Sequence, residues 1–393
     1  MAIHKSKILF YLEPVTFQNE PYRLWTWHQL FSDLARQSAD QYECVLAASS
    51  AMASLPDHGF SEVLTVDPIS ILASAGFDRA RYSRDLTFGS GRANSGLADQ
   101  LDTLKTSVNP DIVVCVTDNR YLKRAFGASS VMHAEVGPLP PTGLKTMLYV
   151  DPFGHQTNSA VDRLSSDNWL GDRFADFKDA WELGWLAKRR GEAEASGFAS
   201  WLEASAWGRR VALMVMQPQD WVTYEGGGVR LDPLSLLRRT TFNVAEGWCV
   251  LPQWHPADPP PLERLATDLS GHQSAMIMPL PQHRVGCSDM ALPLVDSVVT
   301  VSSNVAAAAL ISGISVQFLG RSKFSKLALR FEGNPQPLPG LLAFLTCRYC
   351  VPLDDMRTLP GAFAAHVTRL KDDANFLFDT SEAKLDRFQD LLT

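Results

Sequence analysis

The feature that most constrains this chain is an alternation of short apolar segments with helix-like segments, which occurs in two series along 393 residues. Strands that alternate with helices form parallel sheets with helices packed on both faces. The first series contains a predicted helix at 22–36 and apolar strands at 8–12, 43–48, 61–66, 111–116 and 131–135. This series predicts a Rossmann-like unit.

A second series follows a polar, tryptophan-rich stretch at 162–206 whose pattern is helical. Its predicted strands lie at 211–217, 248–253, 274–278, 297–301 and 315–319, and its predicted helices lie at 234–245 and 305–311. The chain is too long for one ordinary α/β core, so we expect two domains.

Three regions follow from the two series. We predict an N-terminal Rossmann-like domain with its linking helices at 1–207, a C-terminal Rossmann-like domain at 208–345, and a C-terminal helical segment at 346–393. Two Rossmann-like domains that face each other across a cleft form the GT-B arrangement. The predicted fold class is therefore α/β and GT-B-like.

The composition excludes several classes of protein. A net charge of −7 and a pI near 5.7 argue against a broad nucleic-acid-binding face, which needs clustered lysine and arginine. The first residues lack the apolar core of a signal peptide, and the most apolar stretch, 304–320, is too interrupted to span a membrane. We expect a cytoplasmic protein, either free or peripheral at the inner face of the membrane, with its cysteines reduced.

Two carboxylates follow predicted strands at positions suited to chemistry. Glu135 begins the motif EVGP after the last strand of the first series, and Asp220 ends the motif QPQD after the first strand of the second. Ligands of open α/β sheets bind beyond the carboxyl ends of the strands. There a carboxylate can act as general acid or base, and an ionised aspartate can attack an anomeric carbon. The alternative for each residue is a role in a turn.

Two further motifs of the second series are suited to an anionic ligand. His255 precedes a proline after a strand, where its imidazole can hold a phosphate or carboxylate or move a proton. Ser302, Ser303 and Asn304 lie between a strand and a helix, where hydroxyl and N–H groups can bind a phosphate. Ordinary capping of that helix by Ser303 or Asn304 is the alternative, and both roles can hold together.

Other polar residues carry weaker signals. His155, in the motif DPFGH, fits either a cleft wall or a plain turn, and Asp232 fits local structure. Arg321 and Lys323 could meet a donor carboxylate, although the favoured interpretation is a solvated turn. No glycine-rich dinucleotide or ATP motif is present, and no spacing of ligands predicts a metal site.

Together these motifs resemble those of the bacterial capsule and O-antigen Kdo transferases, a capsule polysaccharide synthesis family that includes retaining β-Kdo enzymes. Kdo is 3-deoxy-D-manno-oct-2-ulosonic acid. The similarity extends over about residues 131–323 and is strongest in DSVVTVSSNVAAAALISGISVQFLG, with support from QPQD, QWHP and EVGPLP. The resemblance implies that the first domain binds the acceptor and that the second binds the CMP-sugar.

The resemblance also implies residue roles. His255, Ser302 and Ser303 would bind CMP-Kdo, and we expect Gln217 and Asn304 beside them. Asp220 would be the nucleophile of a double displacement and Glu135 the acid/base, and we expect His255 to assist catalysis. The chain departs from the family pattern at three places: Ala308 stands where the family carries a glutamate, Gln253 where a basic residue precedes the HP motif, and Pro141 where an arginine follows EVGPLP.

The expected activity is transfer of Kdo from CMP-Kdo to a saccharide acceptor, free or lipid-linked, in the synthesis of capsule, O-antigen or lipopolysaccharide. We expect retention of configuration and no cofactor or metal, and other modules of a polysaccharide synthase are conceivable partners. The nearest alternative is an inverting CMP-sialic acid sialyltransferase with His255 as acid and Glu135 as base. A UDP-sugar epimerase and a non-catalytic saccharide-binding module of a larger synthase are the others.

Overall fold

The computed structural model describes residues 5–15, 21–55, 59–88, 94–128, 130–140, 142–156, 158–218, 224, 228–229, 231–255, 265, 267, 269, 271–272, 274–277 and 286–392. The strands are β1 (Ser6–Tyr11), β2 (Tyr42–Ala48), β3 (Glu62–Thr65), β4 (Ile112–Cys115), β5 (Val131–Val136), β6 (Met147–Asp151), β7 (Arg210–Val215), β8 (Trp248–Gln253), β9 (Ser297–Thr300), β10 (Ser315–Phe318) and β11 (Cys350–Pro352).

The α-helices are α1 (Pro21–Ser38), α2 (Ser50–Ala53), α3 (Pro68–Ser74), α4 (Arg79–Phe88), α5 (Ser95–Val108), α6 (Arg120–Phe126), α7 (Ala175–Ala180), α8 (Ala187–Ala195), α9 (Phe198–Ala206), α10 (Pro233–Asn243), α11 (Cys287–Ala291), α12 (Val305–Ile311), α13 (Ser325–Arg330), α14 (Pro339–Phe344), α15 (Leu353–Thr358), α16 (Ala362–Asp372) and α17 (Asp386–Gln389). Shorter helical turns of the 3₁₀ and π types lie at Ala160–Arg163, Asp172–Phe174, Trp181–Leu186, Leu292–Leu294, Leu345–Tyr349 and Ala374–Phe378.

The chain forms two compact units. The first unit comprises Met1–Val136, Thr146–Ala160 and Tyr349–Asp379, and the second comprises Gly137–Lys145, Val161–Arg348 and Thr380–Thr393.

The first unit is built on a seven-stranded sheet with the order β11-β6-β5-β4-β1-β2-β3. The pairs from β5 through β4, β1 and β2 to β3 are parallel, as the sequence predicts. Strands β1 and β4 are apolar along most of their length because both faces of a parallel sheet are buried. The antiparallel strands β6 and β11 extend this sheet beyond β5, which the sequence pattern did not predict.

The second unit is built on a four-stranded parallel sheet with the order β10-β9-β7-β8, which confirms a second Rossmann-like series. The strand predicted at 274–278 is wrong for the described residues 274–277, which form a single bridge between Ala275 and Val250. Val250 donates its N–H to the Ser274 carbonyl and accepts the N–H of Met276, and among the described residues the pairing with β8 does not extend beyond Val250.

The C-terminal tail is less helical than predicted. Within 381–392 the α-helix covers only Asp386–Gln389. The end of the chain instead pairs with another segment of the second unit, because Lys145 N–H donates to the Leu391 carbonyl and Leu144 forms an antiparallel bridge with Leu392.

The predicted domain bounds at 207 and 345 stay predictions, and the contacts group two segments differently. Residues 161–206 belong to the second unit, where Trp181 Nε1 donates to Ser312 Oγ and Trp185 Nε1 donates to the Thr142 carbonyl. Residues 349–379 belong to the first unit because β11 pairs with β6.

Two negative observations concern the described part of the chain. Its helices include none that is both long and apolar enough to cross a bilayer. The six cysteines, all of them described, are buried and form no disulfide.

Candidate active site

In the first unit, Glu135 lies within β5 and not in a turn after it. The antiparallel register pairs Glu135 with Tyr149 on β6, so the two side chains are neighbours. Tyr149 Oη donates to Glu135 Oε2 over 2.6 Å, and His155 Nε2 lies 3.2 Å from the same oxygen. Glu135 is 19% exposed whereas His155 is 4% exposed, so Glu135 is the more exposed of the two.

The backbone around His155 is fixed by Asp118, which follows β4. The Asp118 carboxylate accepts the N–H groups of His155 and Gln156 over 3.1 and 2.8 Å. Burial acts to raise the pKa of Asp118, but the nearby rings of His133 and His155 and these two hydrogen bonds outweigh it and hold the pKa below its usual range. Asp118 is therefore a fixed negative charge beside His155.

A second tyrosine, Tyr349, packs against the ring of Tyr149. The ring of Tyr349 stacks on Tyr149 with centroids 4.9 Å apart, and Tyr349 Oη donates to Asp151 Oδ2 over 2.8 Å. Burial raises the pKa of Tyr149 well above its usual value, and the nearby Glu135 carboxylate raises it further. Tyr149 is therefore a proton donor throughout the physiological pH range.

Another carboxylate, Glu13, lies beyond the carboxyl end of β1 and was missed by the sequence reasoning. It is buried and accepts hydrogen bonds from Tyr82 Oη, Tyr11 Oη, Asn119 Nδ2 and the Val15 N–H. Burial raises its pKa to about 7 although these bonds act to lower it. An acidic residue directly after an apolar strand was the available signal. Four hydrogen-bond donors therefore fix the orientation of the Glu13 carboxyl group.

In the second unit, the carboxyl ends of the parallel strands carry a set of polar side chains. Gln217 follows β7, and Gln217 Oε1 accepts both the N–H and the hydroxyl of Ser302 over 2.9 and 3.2 Å. The Ser303 N–H donates to Thr300 Oγ1, which itself donates to the Val215 carbonyl. The structure thus brings together Gln217, Ser302 and Ser303, which the sequence placed in one site.

The local role of the serines is also present. Ser303 Oγ accepts the N–H of Val305 over 3.3 Å at the start of α12, whereas the Asn304 side chain makes no capping bond. Asn304 instead approaches Gly137, where an added Cβ would lie 2.5 Å from Asn304 Nδ2. A glycine with φ of +121° permits this approach.

The remaining predicted residues differ in what the structure says of them. His255 is half-buried two residues after the end of β8, and Asp220 lies outside the described residues. Asp232 caps α10 by accepting the Ser235 N–H over 3.0 Å, which confirms a role in local structure.

Lys323 is not in a solvated turn as predicted, because it is 1% exposed. Its neighbours Ser322 and Phe324 are also buried. The Ser322 N–H donates to Ser325 Oγ at the start of α13, and this bond ties the loop to that helix. Arg321 is exposed, as predicted. The loop between β10 and α13 therefore carries a buried lysine.

The chemistry of the two sets differs. The set in the first unit contains an accessible carboxylate with proton donors around it, which suits acid/base work. The set in the second unit contains an amide and hydroxyls, which can donate hydrogen bonds to an anionic ligand, and the same unit carries the imidazole of His255 and the buried Lys323. Within the described ranges, no group of three His, Cys, Asp or Glu side chains could hold a metal ion.

The chain is therefore a protein of two Rossmann-like α/β units, and each unit carries a set of polar side chains at or beyond the carboxyl ends of its strands. Comparison with known proteins adds little to this. No protein-family model matches the sequence, and no curated protein matches it.

The solved structures that are similar to most of this chain include the following three. One is the beta Kdo 2,7 transferase KpsC of Thermosulfurimonas dismutans, 12% identical, with 88% of this chain and 92% of that chain covered and a TM-score of 0.43. Another is the UDP-GlcNAc 2-epimerase of Neisseria meningitidis bound to UDP-GlcNAc, 12% identical, with 93% and 100% covered and a TM-score of 0.32. The third is the spinosyn rhamnosyltransferase SpnG, 15% identical, with 98% and 96% covered and a TM-score of 0.29. At such identities and TM-scores, these likenesses establish neither a shared fold nor a shared activity.

Proposed function

We propose that this chain is a GT-B-type glycosyltransferase that moves Kdo from CMP-Kdo to a saccharide acceptor. The observation that carries the proposal is the polar set at the carboxyl ends of the four parallel strands in the second unit, where Rossmann-like sheets bind nucleotides. The donor choice rests on the resemblance of the motifs at 131–323 to the retaining β-Kdo enzymes.

The charge of the donor fits the polar set. CMP-Kdo carries a phosphate and a sugar carboxylate, and both need hydrogen-bond donors or cations. Ser302 and Ser303 supply hydroxyls, His255 an imidazole and Lys323 an ammonium. Because α12 is only seven residues long, the proposal relies on these side chains and not on the helix dipole. Gln217 would fix Ser302 in place, and Asn304 would stand beside it.

The proposed reaction has two displacements. Asp220 attacks the anomeric carbon of Kdo, the bond to the CMP phosphate breaks, and a glycosyl ester of Asp220 forms. Glu135 then takes the proton of the acceptor hydroxyl, whose oxygen displaces Asp220 and restores the original configuration. CMP is already a good leaving group, so neither a strong acid nor a metal is required in the first step. A role in surface polysaccharide synthesis at the cytoplasmic face of the membrane follows from the same resemblance.

Intact mass spectrometry tests both the donor and the nucleophile. Wild type and Asp220→Cys are incubated with CMP-Kdo generated in place, and in parallel with CMP-sialic acid. The proposal expects a mass gain of one Kdo residue, Kdo minus water, at position 220, because a thioether at the nucleophile position is not displaced by an acceptor. Asp232→Cys serves as the matched control, since Asp232 only caps a helix, and it should gain no adduct.

The same experiment decides against the proposal if the outcome is reversed. Turnover of CMP-sialic acid with no Kdo adduct would favour the inverting sialyltransferase, in which Asp220 has no covalent role. Equal adducts at positions 220 and 232 would show non-specific alkylation and remove the support for Asp220.

A further inference from the structure

Glu135 shares its hydrogen bonds with two other side chains of the first unit. Tyr149 Oη lies 2.6 Å from Glu135 Oε2 and 2.9 Å from His155 Nδ1. His155 Nε2 lies 3.2 Å from the same Glu135 oxygen and 3.2 Å from Gln156 Nε2. Both nitrogens of the His155 ring therefore face groups of this cluster.

The number of protons in the cluster limits how these contacts can be made. The Tyr149 hydroxyl carries one proton, so it cannot donate to Glu135 and to His155 at the same time. When Tyr149 donates to an ionised Glu135, Nδ1 of His155 must donate to the tyrosine oxygen. When Tyr149 donates to Nδ1, the 2.6 Å contact requires a proton on Glu135. The two arrangements differ only in the position of one proton along the chain of three groups.

We propose that Glu135, Tyr149 and His155 form one acid/base unit, in which the proton taken by Glu135 passes through Tyr149 Oη to His155 Nδ1. This inference rests on the proposed role of Glu135 as the base. The O–H bond of the Glu135 carboxyl breaks as Tyr149 takes that proton, and the former tyrosine proton forms an N–H bond at His155. The products are a carboxylate and an imidazolium, so charge is conserved and Glu135 is ionised again.

The charges around His155 favour the added proton. Asp118 accepts the backbone N–H of His155 and keeps its negative charge, since its pKa lies below the usual range. His133 does not compete for the proton, because burial lowers its pKa to about 3. Lys123 opposes protonation of His133, and its ammonium donates to the Phe153 carbonyl.

The groups on the other side of Tyr149 do not compete with Glu135. Tyr349 stacks on the Tyr149 ring, but its hydroxyl donates to Asp151 Oδ2 over 2.8 Å. Asp151 also accepts the N–H groups of Phe153, Gly154 and Ala160, and burial raises its pKa. Tyr349 thus offers a matched control: it is as buried as Tyr149 and carries the same hydroxyl, but contacts a different carboxylate.

An NMR titration of the full chain tests the unit without requiring any activity. The His155 ring signal is assigned by its absence in His155→Gln, and its titration midpoint is compared in wild type, Glu135→Gln and Tyr349→Phe. Removal of the Glu135 charge should move the midpoint to lower pH by about one unit or more, because an adjacent carboxylate favours the imidazolium. Tyr349→Phe should leave it in place. An unchanged midpoint in Glu135→Gln would overturn the inference.

Kinetics supply a second readout that a merely structural role would not move. With CMP-Kdo and an acceptor, Tyr149→Phe should lower kcat and shift the pH dependence of kcat with little change in the donor KM, whereas Tyr349→Phe should behave as wild type. A pH profile of Tyr149→Phe identical to that of wild type would count against the relay. If wild type consumes no CMP-Kdo, the proposed function fails, and the His155 titration, repeated with Tyr149→Phe, still decides whether the three groups are one unit: removal of the Tyr149 hydroxyl should also move the His155 midpoint, and an unchanged midpoint would overturn the inference.

Discussion

The replacement Glu13→Gln should make the first unit less sensitive to alkaline pH. Burial raises the pKa of Glu13 from 4.5 to about 7, so the folded state binds a proton that the unfolded chain has released. The stability from this proton is present at low pH and is lost as the pH rises toward the folded pKa. One pKa unit corresponds to about 1.4 kcal/mol, so between about pH 5 and about pH 8 the loss comes to about 2.5 kcal/mol. Glutamine does not ionise and should not show it.

Urea titrations at the two pH values measure this difference, with hydrogen exchange of the β1 peptide as the probe of the first unit. The cost of fitting an amide into the cluster is the same at both pH values and cancels in the comparison. Glu62→Gln is the matched control, because Glu62 lies exposed on β3 of the same sheet and the variant keeps Glu13, so its unfolding should depend on pH as that of wild type does. If Glu13→Gln changes the free energy of unfolding equally at both pH values, the reasoning about the buried carboxyl is refuted.

Three further predictions concern the second unit. Gly340→Ala should destabilise the protein by about 3 kcal/mol or more in thermal or urea denaturation, because its Cβ would lie 1.5 Å from the Trp169 carbonyl oxygen. Gly191→Ala should instead stabilise it by about 0.5 to 1 kcal/mol, since nothing lies near its Cβ in α8. Gln217→Ala should raise the donor KM about tenfold in steady-state kinetics with kcat little changed, because Gln217 holds the N–H and hydroxyl of Ser302; an unchanged KM would place the donor elsewhere.

The parallel strands were the most predictable part of the fold. Strands β1, β4 and β9 are apolar over most of their length because they lie in the interior of their sheets, and the edge strand β8 is also buried over most of its length. Polar residues directly after such strands then predict a site, and the contact of Ser302 with Gln217, 85 residues away, follows from the parallel pairing of β7 with β9.

The contacts of Glu135 could not be predicted in the same way. Tyr149 contacts Glu135 because β6 pairs with β5 in the antiparallel direction, and no local sequence pattern predicts that β6 runs opposite to β5. The sequence is compatible with His155 either in a cleft wall or in a turn. Its position depends on hydrogen bonds from the N–H groups of His155 and Gln156 to the Asp118 carboxylate, 37 and 38 residues earlier in the chain.

Burial of single polar residues was also beyond the sequence pattern. Lys323 reads as part of a charged turn, yet the packing of Phe324 and the hydrogen bonds of Ser322 and Ser325 hold the loop inward. The tail at 381–392 has a helical pattern, but pairing of its end with Leu144 and Lys145 takes the place of a longer helix. In both cases tertiary contacts outweigh local propensity.

The assignment of CMP-Kdo as the donor is tested by the release of CMP from CMP-Kdo, followed by phosphorus NMR with a saccharide acceptor present. Wild type should release CMP well above the spontaneous rate, and Asp220→Asn should not. CMP release from CMP-Kdo no faster with wild type than without enzyme, together with consumption of CMP-sialic acid under the same conditions, would contradict the assignment of CMP-Kdo as the donor.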